Sequence, residues 1–369
     1  MTYNLGAVGF GHWFNRLYAG LKESNEFRIT KVVGVSEVGR KIDKLKEIGL
    51  AEKDYYRVSD GTLPESFYEG LDLVHISDPN EYHAQQTIES LKHGKFTVTE
   101  KTWGVDREEF DRVAEYIKAN NLESKAYLHL HYLHKQLTFG LEGLLEAYTK
   151  KYGKVKRVSA TLFETASDED MRRSGWLFSS SSGGLFMDTG IHLFEIIIAG
   201  AKADRTEIDD VKLYAVKKEY GQDNATGVDA HISISGRFFK EGAEGSIRIA
   251  KGASAESRSA RFYFDSGAYL DLSYLHSDIE YNSDKRGSWT LYENGHKVES
   301  GNPKGPNNSE VFVEQIVELC RGRNTGLTMQ EIDLLFGPQW QYQEMVEGVG
   351  ISTSEKEVGA FISKGIGLE

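Results

Sequence analysis

Apolar residues in the first third of the chain come in short runs separated by amphipathic stretches of helical spacing. YNLGAVGF, residues 3–10, is an apolar run ending in glycines. In WFNRLYAGLKES, which follows, Phe14, Leu17, Tyr18 and Leu21 recur on one helical stripe. ITKVVGVSE is a second, β-branched run, and GRKIDKLKEIG is a charged amphipathic helix closed by Gly49. LDLVHISD and KFTVTE are further strand runs, and EYHAQQTIESLKHG between them reads as a helix stopped by Gly94. DREEFDRVAEYIKANN is another helix, with acidic residues in its first turn where the dipole favours them. Strands alternating with helices of this length predict a parallel sheet with right-handed crossovers.

The pattern changes near residue 125. KVKRVSATLFE, VKLYAVK, DAHISIS, EGSIRIA, ARFYFD, AYLDLSYL and SWTLYENG follow one another as strand candidates. Val228, Ala230, Ile232 and Ile234 alternate with polar neighbours, the mark of a half-buried strand. One helix around residues 184–199 interrupts this series, and a helical region closes it from about Ser309 to Met345. Short connections between successive strands predict a mostly antiparallel sheet.

The turn after the first run is Gly9-x-Gly11, between a strand and a helix. The first glycine permits the tight turn, and the second lets backbone amides approach a pyrophosphate at the helix N-terminus. Gly9, Phe10, Gly11, His12 and Trp13 are therefore candidate cofactor contacts. Phe14 stands where the usual fingerprint has a third glycine or alanine. Glu37, at the end of the second strand run, is placed to accept hydrogen bonds from the adenosine ribose, which favours NAD over NADP; Arg40 and Lys41 just beyond it would rescue NADP binding. The predicted fold class is α/β: an N-terminal Rossmann domain with a parallel sheet over residues 1–124, then an α+β domain with a large, open, mostly antiparallel sheet over residues 125–369. The crevice between two such domains is the default site.

Composition narrows the function classes. With 369 residues the chain is long enough for two cores, and 39% hydrophobic with 27% charged residues is a soluble globular balance. A net charge of −12 argues against non-specific nucleic-acid or anionic-membrane binding. Cys320 is the only cysteine and sits in a helical pattern, so a packed thiol is expected. There is no run of 18 apolar residues and no basic region followed by an apolar core at the N-terminus, so a cytoplasmic location is expected.

Four short elements remain: GFG at 9–11, SDPNEYH at 77–83, EKT at 100–102 and MDTGIH at 187–192. In this order and spacing they resemble the Gfo/Idh/MocA oxidoreductases, which include glucose–fructose oxidoreductase and inositol dehydrogenases; the family's patterns are a GxG turn, TPN..H, EKP and D.G.H. The resemblance implies that Lys101 is the active-site lysine, with Asp188 and His192 as its catalytic partners. It also implies that Ser77, Asn80 and Glu100 line the nicotinamide half of the cofactor site; Ser77, Pro79 and Asn80 fall at the carboxyl edge of the third strand run, and Pro79, His83 and Lys101 complete the candidate cofactor contacts. Thr102 replaces the family's proline, and a trans peptide before it is expected, since a non-proline cis bond costs about 3 kcal/mol.

Asp188 and His192 are four residues apart, so they share a helical face that Glu195 extends. Such a pair also suits a surface ion pair or a metal. In YLHLHYLHK, His129 and His131 alternate onto one strand face, but no carboxylate partner is evident in the sequence and no metal site is assigned. The resemblance places this segment against substrate, which makes His131, Tyr132 and Lys135 candidate substrate contacts beside Lys101, Asp188 and His192; His129 and His134 are read as structural.

The expected activity is an NAD(P)-dependent transfer of hydride between a sugar or polyol carbinol and nicotinamide. Its rivals are a redox-neutral, NAD-retaining sugar hydrolase or lyase and a non-catalytic sensor. By the same resemblance the chain is expected to form a homodimer or homotetramer.

Overall fold

The computed structural model describes residues 2–21, 24–133, 135–164, 189–204, 209–216, 231–237, 244–251, 256–274, 287–303, 308–323, 326–333, 335–337 and 340. The chain divides into two compact units.

In the first unit the six strands are β1 (Tyr3–Val8), β2 (Phe27–Gly34), β3 (Tyr55–Arg57), β4 (Leu73–Ile76), β5 (Phe96–Glu100) and β6 (Ala126–His129). They form one sheet in the order β3-β2-β1-β4-β5-β6, with every pairing parallel. The connecting helices include α1 (His12–Leu21), α2 (Ile42–Glu47), α3 (Glu65–Tyr68), α4 (Asn80–Lys92) and α5 (Arg107–Ala119). Sequence signals set their limits. Asp106 caps α5 by accepting the Glu109 amide at 2.8 Å, and Gly49 and Gly94 take φ of +75° and +72° just past α2 and α4. This is the doubly wound order, whose direction of travel reverses between β1 and β4.

Both faces of this sheet are covered. One carries Val8, Val33, Val74 and Ile76 against Phe67, Tyr68 and Leu71. The other carries Leu5, Ala7, Leu73, Val98 and Tyr127 against Phe14 and Leu21 of α1. A distant helix joins that second core: Asn308–Cys320 contributes Phe312, Ile316, Val317, Leu319 and Cys320. Full burial of one such large apolar side chain is worth about 1.5–3 kcal/mol. Cys320 is the packed thiol expected, and burial pushes its pKa up to about 12.

The second unit is built on an eight-stranded sheet in the order β14-β13-β12-β11-β7-β10-β9-β8. Its strands are β7 (Val155–Glu164), β8 (Asp209–Val216), β9 (His231–Arg237), β10 (Glu244–Lys251), β11 (Ser257–Phe264), β12 (Tyr269–Ser273), β13 (Ser288–Glu293) and β14 (His296–Gly301). Six pairings are antiparallel and only β7 with β10 is parallel, as the short connections predict. Along β11 and β12 buried and half-buried residues alternate strictly. Besides α6 (Gln136–Phe139), its helices are α7 (Leu141–Tyr152) and α8 (Ile191–Asp204); the Asn308–Cys320 helix of the first unit is α9. Among the described residues no helix is long and apolar enough to cross a membrane.

Candidate active site

In the first unit the candidate residues gather at the carboxyl ends of β1, β4 and β5. Gly9 has φ +96°, and a Cβ there would lie 2.5 Å from the Ser77 carbonyl carbon and 2.7 Å from the Asp78 amide nitrogen. Glycine is therefore required both by backbone conformation and by the close approach of the β4 loop. The amides of Gly9 and Phe10 donate to the Val33 carbonyl at 3.1 and 2.9 Å, and that of Gly11 to the Gly9 carbonyl at 2.8 Å. These bonds fix the turn and engage the Gly9, Phe10 and Gly11 amides ahead of the first turn of α1. Phe10 is buried and packs edge-on against Phe14 at 4.6 Å. Phe14 thus fills the space that a third fingerprint glycine would leave open, and the Phe10 side chain belongs to the core.

Beyond β2, Glu37 is ion-paired with Arg57 at 2.5 Å, with both side chains more than half exposed. Lys44 donates to the Gly11 carbonyl at 3.2 Å, and its ammonium lies 4.2 Å from the Phe10 ring centre. Partial burial, with Lys41 nearby, pushes the Lys44 pKa down to about 8.

The loop after β4 is tied to the same turn. Ser77 donates its amide (2.9 Å) and its hydroxyl (3.1 Å) to the Val8 carbonyl. Pro79 precedes α4, and Asn80 opens it. His83 is 1% exposed, and both its ring nitrogens meet main-chain carbonyls: Nδ1 that of Thr102 at 2.8 Å, and Nε2 that of Asp78 at 2.9 Å. It acts as a buried strut between the β4 and β5 loops.

Lys101 follows β5 directly and is buried, with 7% exposure. The Lys101–Thr102 peptide is cis, which corrects the trans geometry expected from the general cost of such bonds. Local hydrogen bonds hold the turn in this form. The Thr102 carbonyl accepts from His83, its hydroxyl donates to the Gly104 carbonyl, and the Gly104 amide donates to that hydroxyl at 3.0 Å. Glu100, expected on the nicotinamide side, turns its carboxylate to Nδ1 of His129 on the face of the sheet against which α9 packs. Burial lowers the pKa of His129, and of His75 in β4, to about 3, so both imidazoles are neutral.

In the second unit α8 presents His192, 7% exposed. Its Nδ1–H donates to Glu195 at 2.8 Å, which leaves the basic lone pair of the neutral ring on Nε2. Glu195 is completely buried and also accepts the amides of Tyr132 (2.7 Å) and Leu133 (3.1 Å). The Tyr132 ring stacks on His192 at 4.8 Å, His131 meets that imidazole edge-on at 4.1 Å, and the Lys135 ammonium sits 4.6 Å over Tyr132. Tyr274 donates to or accepts from Thr138 at 3.0 Å behind them. The structure therefore gathers His131, Tyr132, Lys135 and His192. β6 ends at His129, so the expected strand alternation of His129 with His131 is not realised; His131 lies in the turn that follows. Asp188 and His134 lie outside the described residues, as do the side chains of His12 and Trp13. The group that orients His192 is Glu195, which the i, i+3 spacing already placed on its face.

No protein-family model matches the chain. Over 140 residues it is 26% identical to scyllo-inositol 2-dehydrogenase (NADP(+)) IolU of Bacillus subtilis (strain 168); the match covers 36% of this chain and 41% of that protein, so it spans less than half of the relative's length. Among solved structures, aldose-aldose oxidoreductase from Caulobacter crescentus, complexed with glycerol, superposes with a TM-score of 0.73 at 15% identity, covering 95% of this chain and 99% of that one. A 3-ketoreductase from Actinomadura kijaniata, in complex with NADP and TDP-benzene, superposes with a TM-score of 0.70 at 14% identity, covering 94% and 98%. With its parallel six-stranded sheet, its eight-stranded mostly antiparallel sheet and the four motifs in order, the chain has the fold of the Gfo/Idh/MocA oxidoreductases.

Proposed function

We propose that this chain is an NAD(P)-dependent dehydrogenase that passes a hydride between a carbinol carbon of a sugar or polyol and nicotinamide C4. The observation that carries this reading is the buried Lys101 at the carboxyl end of β5, in the same sheet whose β1 turn needs glycine at residue 9. The carboxyl end of a strand in a parallel, doubly wound sheet is where such folds take their ligands, so an ammonium there is placed to meet one. Lys101 hydrogen-bonds the carbinol oxygen and stabilises its developing negative charge. His192, held by Glu195 with Nε2 as its basic atom, takes the hydroxyl proton. His131, Tyr132 and Lys135 contact neighbouring hydroxyls, and Asp188 is assigned to the same set by its motif. The names of the similar proteins, which act on an inositol and on aldoses, support this substrate class.

NADP is accepted beside NAD. Glu37 is already countered by Arg57, and Lys44 lies at the glycine turn, so a 2′-phosphate meets cations as well as an acid. The free-enzyme profile of kcat/KM for the cofactor is then expected to fall as pH rises through about 8, where Lys44 loses its proton. Lys44→Gln should remove that limb; a wild-type profile flat across this range argues against a phosphate contact by Lys44.

A second variant separates orientation from chemistry. Glu195→Gln keeps volume but leaves an amide NH2 facing N–H donors, at an expected stability cost of about 1–3 kcal/mol. Turnover should fall by about tenfold to a hundredfold and its pH profile should be displaced, since the imidazole loses its anionic partner. An unchanged profile in a folded variant contradicts the role given to the pair.

The direct experiment is a panel of aldoses, polyols and sugar phosphates with NAD and NADP, followed by absorbance of the reduced nicotinamide. Turnover of at least one polyol or sugar is expected; failure across the panel, with dinucleotide bound, favours a sensor. Oligomerisation through the face of the eight-stranded sheet that carries Arg157, Tyr263, Arg261 and Tyr269 fits their half-buried cation–aromatic ladder, and sedimentation that returns a monomer contradicts it.

A further inference from the structure

Three metal-ligating side chains meet on the face of the first sheet that α9 covers. His75 comes from β4, Glu100 from the end of β5 and His129 from the end of β6. The register explains the meeting. His75 pairs with Val98, two residues before Glu100, and Glu100 pairs with His129, so the period of two puts all three on one face. One ligand atom from each lies within 4.8 Å of the other two. All three residues are buried, and Phe312 of α9 stacks over His129 at 4.0 Å.

His75 is the telling member. It is 1% exposed, and neither ring nitrogen has a hydrogen-bond partner among the described residues. Burying such a group unpaired costs on the order of 1–3 kcal/mol, and an orphan of this kind calls for a water or an ion. The carboxylate that the sequence did not reveal beside His129 is Glu100, brought in by strand pairing.

We propose that His75, Glu100 and His129 bind a divalent transition-metal ion of the zinc class, stapling β4, β5 and β6 together beneath Lys101. Two imidazoles and one carboxylate are a donor set that zinc, cobalt and ferrous iron share, whereas magnesium and calcium prefer all-oxygen sites. An ion at about 2.1 Å from each atom holds tetrahedral ligands about 3.4 Å apart. Side-chain rotation supplies that closure, and the bond between Glu100 and His129 gives way to a shared ion. A water completes the fourth position. This inference goes beyond the dehydrogenase reading and does not depend on it.

The test is elemental analysis and cobalt substitution. The full chain is produced in zinc-supplemented medium and passed through gel filtration with a weak chelator, in parallel with His75→Leu and Glu100→Gln. The wild type is expected to retain about one zinc per chain, and cobalt-grown protein to show the visible bands of a low-coordinate nitrogen–oxygen site. Both variants should lose at least about nine-tenths of the metal while circular dichroism reports a folded chain; two different substitutions guard against one failing to fold. Wild-type protein that carries no metal overturns the proposal, and so does metal that both folded variants retain.

Discussion

Replacing Lys101 by alanine is expected to lower kcat by about 10²–10⁴-fold, the range that a positioned proton-transfer or charge-stabilising group supplies. Dinucleotide affinity should stay within a few-fold of wild type. The glycine turn and the Ser77 bonds to Val8 do not involve the lysine side chain. Lys101→Arg should recover little, because a planar fork does not replace a compact ammonium in a buried position. Steady-state kinetics with a dinucleotide titration decide the matter. Lost cofactor binding with unaltered turnover at saturating cofactor contradicts the role given to Lys101.

Gly9→Ala has the second large effect, and it acts on the other half of the reaction. A methyl at residue 9 would stand 2.5 Å from the Ser77 carbonyl carbon and 2.6 Å from its oxygen, and both are main-chain atoms that no rotamer change relieves. The φ of +96° adds a penalty of about 1–2 kcal/mol for any residue with a Cβ. The β1 and β4 loops must separate, which breaks the Ser77 bonds to Val8 and moves the first turn of α1. Dinucleotide affinity is expected to fall by at least about a hundredfold, equivalent to some 3 kcal/mol. Calorimetric titration of the folded variant with NAD and NADP measures it, and near-normal affinity would mean that the cofactor does not use this turn.

Much of the first unit can be read from periodicity alone, because β1, β2, β4 and β5 are short apolar runs, each with an amphipathic stretch behind it. β3 escaped notice: Tyr55–Arg57 is only three residues long and has no room for a pattern. β14 escaped for another reason. It lies at the sheet edge with five of its six residues exposed, so no alternation marks it. The placement of α9 could not be foreseen either. A helical region was visible there, but only the fold brings Phe312 and Ile316 onto strands far earlier in the chain.

At the candidate site, the spacing of strand, turn and helix pointed to Gly9, and the resemblance of the short motifs pointed to Lys101 and His192. Partners set by strand pairing or by a turn were hidden. Glu195 was seen on the His192 face, yet its bonds to the Tyr132 and Leu133 amides need the turn after β6. His75 is a lone polar residue in the apolar run LDLVHISD, with no local sign of its neighbours, and Glu100 was tied to the cofactor by the resemblance, since the sequence does not say which way a strand-end side chain faces. The cis peptide at Thr102 fails the general rule for a similar reason: the His83 strut that holds that carbonyl comes from a helix begun over twenty residues earlier.

The central claim is a hydride passed directly between carbon and nicotinamide, and isotope transfer tests it most directly. A polyol that the panel shows to react is prepared with deuterium on its carbinol carbons and turned over with the oxidised cofactor. The account predicts one deuterium per turnover on nicotinamide C4 and a carbonyl product in equal amount. Product formed while the cofactor gains no lasting label or reducing equivalent would contradict it and point to redox-neutral chemistry.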